Sequence, residues 1–296
     1  MSLRRAAHSA HVMRHDTPRH GTAFRRQSNR RKTRIVTNHI RFDDGAAYER
    51  YMGKWSQLVG EAFLDWLAPE PGLRWLDVGC GNGAFTELIV ERFAPASVRG
   101  IDPSEEQLAY ARARPALHGA QFLKGDAMAQ PFPENTFDVA VMPLVIFFVP
   151  DPAKGVSEMA RVVRPRGLVA AYGWDMEGGG FPYALLRSEL GNLGAAVPTP
   201  PSPDASEIDT MRALWAGAGL DSIETRDIRV QRTFTDFEDY WQAIRGGPSV
   251  RATIAAMTPG TLALLKTRME ALLSADATGR ITCTARANAI KGRVPG

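Results

Sequence analysis

Cysteine is scarce. Cys80 and Cys283, the two in 296 residues, lie too far apart to suggest a disulfide framework and have no metal-ligand spacing. That favours a reducing compartment, and the cytoplasm is the expected location. Long apolar runs are missing as well. The longest, Val139 to Val149, is broken by Pro143 and falls far short of the roughly 20 residues that a membrane-spanning helix needs. No secretory h-region is visible, and there are no internal repeats.

Acids are almost missing from one stretch. Residues 1–41 hold eleven Lys/Arg and a single acid, Asp16, together with five of the six histidines. This stretch accounts for the net charge of +4, because the rest of the chain carries 25 basic and 31 acidic residues. The remainder is mildly acidic, which argues against a broad nucleic-acid surface on it. The tail has little apolar periodicity and is expected to be disordered. Translated sequence upstream of the functional start, or a plain solvated extension, is the favoured account of it. A basic arm for nucleic acid or anionic lipid and an Arg-rich organellar transit peptide are the others.

What is present is a 44% hydrophobic chain, enough for a sizeable core in residues 42–296. Helical periodicity runs from Tyr48 to Leu67 and stops at Pro69-Glu70-Pro71-Gly72. Strands are expected at Leu73–Val78, Ser97–Ile101, Ala120–Leu123, Phe137–Met142 and Leu168–Tyr172, with helices at Ala84–Phe93, after Ser104 and at Val156–Val163. Ser104 and Gln107 have capping-box spacing. Alternating elements with continuous apolar strands fit a mostly parallel sheet with helices on both faces. Beyond Trp174 the pattern loosens. Gly178-Gly179-Gly180 reads as a hinge, Pro182–Leu193 and Ser206–Gly217 as helices, and Asp221–Thr233 and Arg280–Ile290 as strands. Residues 236–273 add helices, one capped at Thr258-Pro259 with Leu262, Leu265, Met269 and Leu272 on one face.

The segment Leu73 to Phe85 carries the most chemistry. An apolar strand ends at Asp77, and Gly79, Gly81 and Gly83 follow at every second position before a helix. Glycine permits positive φ and close approach of a ligand to the main chain. The spacing is G-x-G-x-G, not the G-x-G-x-x-G of dinucleotide sites. An acid at Asp77 suits an ammonium, and loop N–H groups suit a carboxylate. Cys80, inside this loop, reads as a small packed residue and not as a nucleophile. Asp102-Pro103 ends the second strand, 19 residues after Gly83, where an acid accepts from ribose hydroxyls or caps the next helix. Gly125-Asp126-Ala127 ends the third, where an acid and the next N–H match an adenine edge.

Residues 125–140 are similar to the pattern G-D-A-x-x-L-P-F-P-x-x-x-F-D-x-V, with Gln130 in place of the usual Leu. Arg161-Val162-Val163-Arg164-Pro165-Arg166-Gly167 is similar to L-R-V-L-K-P-G-G. With the glycine motif and Asp102, these make the chain resemble the class I S-adenosylmethionine (SAM)-dependent methyltransferases, in particular the ubiquinone/menaquinone-biosynthesis group. The resemblance implies a Rossmann-like seven-stranded sheet whose last strand runs antiparallel between the fifth and sixth, and a helical cap from about 48–67, 176–205 and 236–273. It implies SAM as cofactor, S-adenosylhomocysteine as product and no metal. By position, Asp77, Gly79, Gly81 and Gly83, with Cys80 between them, take the methionine end. Asp102 and Pro103 take the ribose; Gly125, Asp126 and Ala127 take the adenine. Met142 lines the floor near the sulfonium, and Tyr51 or Lys54 closes over the carboxylate.

No universal catalytic residue follows, since methyl transfer needs a base only if the acceptor must lose a proton. Met142-Pro143-Leu144 is not the N/D-P-P-Y/F sequence that holds amide or adenine amino groups. The run Leu144 to Val149 reads as an apolar wall beside the acceptor or as ordinary core. Trp55, Trp174, Asp175, Tyr183 and Trp241 are candidates to line the cap. The expected acceptor is a small hydrophobic molecule, aromatic or lipid-like. Two alternatives stand beside this one: a catalytically silent SAM-binding protein acting through a partner, and a NAD-dependent oxidoreductase.

Overall fold

The computed structural model describes residues 49–247 and 250–296. The basic tail, with its expected disorder and the domain boundary at residue 42, lies outside the described residues. So does Tyr48, the expected start of the first helix.

Seven strands form one sheet: β1 (Arg74–Val78), β2 (Ser97–Asp102), β3 (Gln121–Lys124), β4 (Phe137–Pro143), β5 (Val163–Trp174), β6 (Asp221–Phe234) and β7 (Ile281–Arg293). Their order is β3-β2-β1-β4-β5-β7-β6. β1 to β5 are parallel, and β7 is antiparallel to both neighbours, as the resemblance implies. The order reverses between β1 and β4. In such sheets a crevice opens beyond the carboxyl ends of the strands at that reversal.

A π turn, Glu49–Gly53, leads into α1 (Lys54–Leu67). α2 (Ala84–Phe93), α3 (Glu105–Arg112) and α4 (Pro152–Val162) alternate with the strands. α5 (Ala184–Asn192), α6 (Ile208–Gly217), α7 (Phe237–Arg245), α8 (Arg251–Ala255) and α9 (Pro259–Leu272) follow. Phe63 on α1 packs 6.1 Å from Phe85 on α2 and 4.7 Å from Tyr172 on β5, centroid to centroid. Trp215 on α6 donates its indole N–H to the Val169 carbonyl at 3.0 Å. Val139 to Met142 are all buried, which is why this strand reads as a continuous apolar run.

At the amino edge, Asp138 accepts from the Arg74 amide (2.8 Å), the Arg74 guanidinium (3.0 and 3.1 Å) and Arg164 (2.5 Å). Arg74 holds its pKa well below the usual carboxylate range. The Phe-Asp of the 125–140 motif is therefore a clamp across β1, β4 and β5, on the far side from any ligand.

Two expectations need correction. The triple glycine is pinned, not hinge-like. Asp175 accepts from the Gly178 amide at 3.1 Å, Gly180 and Arg286 exchange backbone bonds with their neighbours, and the Arg286 side chain pairs with Asp175. On α9 the Thr258 cap is present, and Leu265 and Met269 are buried, but Leu272, the last residue of the helix, is 54% exposed. Among the described residues, no helix is long and apolar enough to cross a membrane.

β6 and β7 outrun β5. β7 pairs with β5 only from Ala287, opposite Trp174, whereas its pairing with β6 continues to Ile281 opposite Phe234. A two-stranded extension thus rises past the carboxyl end of β5.

Candidate active site

A cavity of about 630 Å³ opens at the carboxyl edge above β1 and β4. Gly53, Ser56 and Gln57 border it from the start of α1, and residues 79–82 from the loop after β1. Asp102, Pro103, Ser104 and Gln107 border it at the end of β2, and Pro143, Leu144, Val145, Phe148 and Tyr172 from β4 and β5.

The glycine loop is built from within. The amides of Gly79 and Cys80 donate to the Ile101 carbonyl at 2.8 and 3.0 Å, and Gly83 to Cys80 at 2.9 Å. Gly81 donates to the Asp102 carboxylate at 3.0 Å and Ala84 to the Asn82 side chain at 3.2 Å. The expectation that this run of amides awaits a carboxylate is therefore wrong for these five; they serve the turn. Gly79 has φ +74°, and a Cβ there would lie 2.5 Å from Val145, so the residues after β4 rest directly on the loop. Gly83, φ +81°, caps α2 with Leu117 and Ala111 pressed against it.

The two acids differ in saturation. Asp77 is fully buried; its Oδ2 accepts from the Thr86 hydroxyl at 2.7 Å, and its Oδ1 has no hydrogen-bond partner. Burial pushes its pKa up to about 7, against the Thr86 bond and with the help of the Asp102 charge. Asp102 accepts the amides of Gly81 and Ser104 (2.8 Å), one at each oxygen, leaving a second lone pair on each. Burial raises its pKa too, with those two amides opposing. Cys80 is buried and its thiol pKa is raised, first by burial, so it is no nucleophile.

Of the residues expected at the site, Asp77, Gly79, Cys80, Gly81, Asp102 and Pro103 border this cavity. Gly125, Asp126 and Ala127 stand one strand over, outside the lining. The Gly125 amide bonds the Asp102 carbonyl at 3.1 Å, and Asp126 turns back to accept from Met128 at 2.9 Å. Met142 is wholly buried beneath the floor, with Gly155 packed near it, and Pro143 and Leu144 take its expected place. Tyr51 is buried with its ring 4.4 Å from that of Tyr183, and Lys54 is exposed; neither lines the cavity. Trp55, Trp174, Asp175, Tyr183 and Trp241 are packed in the interior away from it, and no lining residue comes from 176–205 or 236–273. The Leu144–Val149 run divides: Leu144, Val145 and Phe148 face the cavity, while Ile146, Phe147 and Val149 are core.

Sequence reasoning missed Ser56, Gln57, Arg114 and Tyr172. Tyr172 carried a signal, a polar-tipped aromatic ending an apolar strand. Arg114 carried none. It reaches the loop from beyond α3, donating to the Asn82 carbonyl at 2.7 Å and to Glu87 at 2.5 Å.

Residues 76–171 match the family model described as a methyltransferase domain. Residues 76–171 thus form a class I SAM-dependent methyltransferase domain. Over 101 residues it is 43% identical to 2-methyl-6-phytyl-1,4-hydroquinone methyltransferase 2, chloroplastic, from Oryza sativa subsp. japonica, covering 34% of this chain and 29% of that protein. It is 36% identical over 115 residues to the ubiquinone/menaquinone biosynthesis C-methyltransferase UbiE of Roseobacter denitrificans, covering 38% and 46%. The matched part is less than half of either relative. The YcgJ protein of Bacillus subtilis has the same fold, with a TM-score of 0.54 at 18% identity, covering 80% of this chain and 98% of that one. The family match thus runs from β1 into β5.

Proposed function

We propose that this cavity holds SAM and that the chain moves a methyl group to a small acceptor, aromatic or lipid-like and largely apolar. The observation that carries the reading is Asp77. A buried carboxylate oxygen without a partner is costly and calls for a cation to complete it. The ammonium of a methionine end is such a cation, and Gly79 and Gly81 let it come up against the main chain. Asp102 keeps a free lone pair on each oxygen for ribose hydroxyls. Asp126 and Ala127, tied to Asp102 through the Gly125 amide, frame the adenine side.

SAM supplies, when bound, a methyl carbon made electrophilic by its sulfonium. The chain's task is to align the acceptor and exclude water. Leu144, Val145, Phe148 and Phe85 make the wall that does so, with Tyr172 the polar tip within it. No general base is assigned. The names of the rice and Roseobacter relatives point to quinone-type rings, which such a wall suits. Cys80 and Cys283 are free thiols, in keeping with a reducing compartment such as the cytoplasm.

The comparisons support neither alternative. A dinucleotide pyrophosphate needs open loop amides, and five here are taken. Calorimetric titration of the chain with S-adenosylhomocysteine, with NAD in a parallel cell, tests the cofactor. Micromolar binding of the former alone is expected; NAD alone would overturn the reading. Transfer of labelled methyl from SAM to a prenylated hydroquinone separates the enzyme from a silent binder.

A further inference from the structure

Four carboxylates border the cavity, those of Asp77, Asp102, Glu87 and Glu91, and Arg114 is the single cation among its lining residues. Arg114 meets the Glu87 carboxylate at 2.5 Å, so these two charges offset each other. Asp102 accepts from the backbone amides of Gly81 and Ser104, and Glu91 is exposed. Among the described residues neither Asp102 nor Glu91 forms an ion pair. On α1, Lys54 lies outside the lining and donates to the Gln57 side chain, which lies within it, at 3.2 Å. With Lys54 counted, acids still outnumber bases around the space.

Glu91 reaches the cavity through helix geometry. Ala84, Glu87, Leu88 and Glu91 all border it, and their spacing puts them on one face of α2. That face runs about 10 Å from the glycine loop, at 1.5 Å per residue. Gly53, Ser56 and Gln57 of α1 border the same space. Farther along α1, Gly60 lets the two helices close on each other, since a Cβ there would lie 3.0 Å from Leu88. The space beside Asp77 thus continues along α2 as an acidic groove. Walls of low dielectric focus the field of such charges on whatever lies between them. That field acts on net charge, and the two forms of the cofactor differ in it. Both have the ammonium and the carboxylate, but SAM adds a sulfonium where S-adenosylhomocysteine has a neutral thioether.

We propose that Asp102 and Glu91 make the cavity charge-selective, so that it holds the sulfonium cofactor in preference to its thioether product, with Glu91 the specificity-determining residue at the rim. The inference rests on reading the cavity as the cofactor site. The Arg114–Glu87 pair keeps the one lining cation from cancelling the field. The consequence is easy release of the product once the methyl group has gone.

The test is calorimetric titration of the full chain with SAM, with S-adenosylhomocysteine and with sinefungin, an analogue that has a protonated amine where SAM has the methylated sulfur. At about pH 8 Asp77, whose pKa is about 7, is ionised throughout. In about 20 mM salt SAM and sinefungin should each bind several-fold more tightly than the product, and about 500 mM salt should shrink the gap to about twofold. Glu91→Gln should weaken SAM binding about threefold and Glu91→Lys about tenfold, with product affinity within about twofold in both. A lysine near the carboxyl end of α2 suits the helix dipole, so both variants should fold, and their product affinity reports it. Product binding as tight as SAM in low salt, or a SAM-to-product ratio that Glu91→Lys leaves unmoved, overturns the selection. So does sinefungin binding as weakly as the product, which would assign the preference to the fit of the methyl group. Failure of all three ligands to bind is a different result: it removes the cofactor reading, and the selection with it.

Discussion

The loop after β1 and the β6–β7 extension border the same edge of the sheet and carry opposite charge. Asp77 and Asp102 sit in the first; Arg232 belongs to the second. The acids are held locally, by the amides of Gly81 and Ser104 and by the Thr86 hydroxyl. A carboxylate accepts hydrogen bonds, and a tight turn at a helix start is rich in donors. A guanidinium only donates. It must find acceptors or ring faces, and Arg232 finds the Phe234 ring on its own strand and the Tyr183 hydroxyl far away in sequence. One side is preorganised by a short stretch of chain, the other by packing among α1, α5 and β6.

The sharpest way to break this contrast is at Asp77. Asp77→Asn keeps shape and an acceptor for Thr86 but removes the charge. S-adenosylhomocysteine affinity should fall by about a hundredfold or more, as for loss of a buried charge-assisted contact. Thermal stability in the ligand-free state should not fall, because the buried charge is a cost there. A variant that melts early and binds normally would invert the assignment.

Gly79→Ala tests whether the loop depends on the β4 side. With φ +74° and Val145 2.5 Å from the new methyl, the change should cost about 2–4 kcal/mol in denaturant unfolding. Adding Val145→Ala removes both Cγ atoms from the new methyl and should relieve most of the clash, leaving about 1 kcal/mol of backbone strain.

The same contrast explains what could be read without a structure. The antiparallel β7 followed from the family resemblance, and the strand ends at Asp77 and Asp102 from motifs, because each of those motifs is a local turn with its own donors. The Ser104 cap was legible for the same reason. The Trp55–Tyr183–Tyr51 chain spans residues 51 to 183, and Arg232 meets Cys283 across the β6–β7 pairing with three helices between them in sequence, so no spacing announces either. Met142 was misplaced by one step along β4: strand alternation turns it into the core and leaves Pro143 and Leu144 at the floor. The Gly178–Gly180 run looked mobile by composition, but its restraint comes from Arg286, more than a hundred residues away.

pH offers a graded version of the Asp77 test. Its folded pKa is raised by burial to about 7. The cation-binding form is the carboxylate, so affinity for an ammonium ligand should be level above pH 7. It should fall about tenfold for each unit below it. Ligand-free stability runs the other way. The folded state keeps the proton longer than the unfolded one, so this group's contribution is full below about pH 4 and is lost as pH rises to about 7. Both trends should vanish in Asp77→Asn, as titrations and melts across pH 5 to 8 would show.

The smallest effect is expected on the arginine side, at Tyr183→Phe. The substitution strips the Trp55 N–H of its acceptor and the Tyr51 carbonyl of its donor, both buried. It should cost about 1–3 kcal/mol of stability. S-adenosylhomocysteine affinity should stay within about twofold, since Tyr183 does not line the cofactor cavity. Unfolding curves and calorimetry on one preparation separate the two. A loss of cofactor-product affinity would mean that the Tyr51 turn transmits strain to Gly53 and the cavity, and the two regions would then have to be treated as one coupled site.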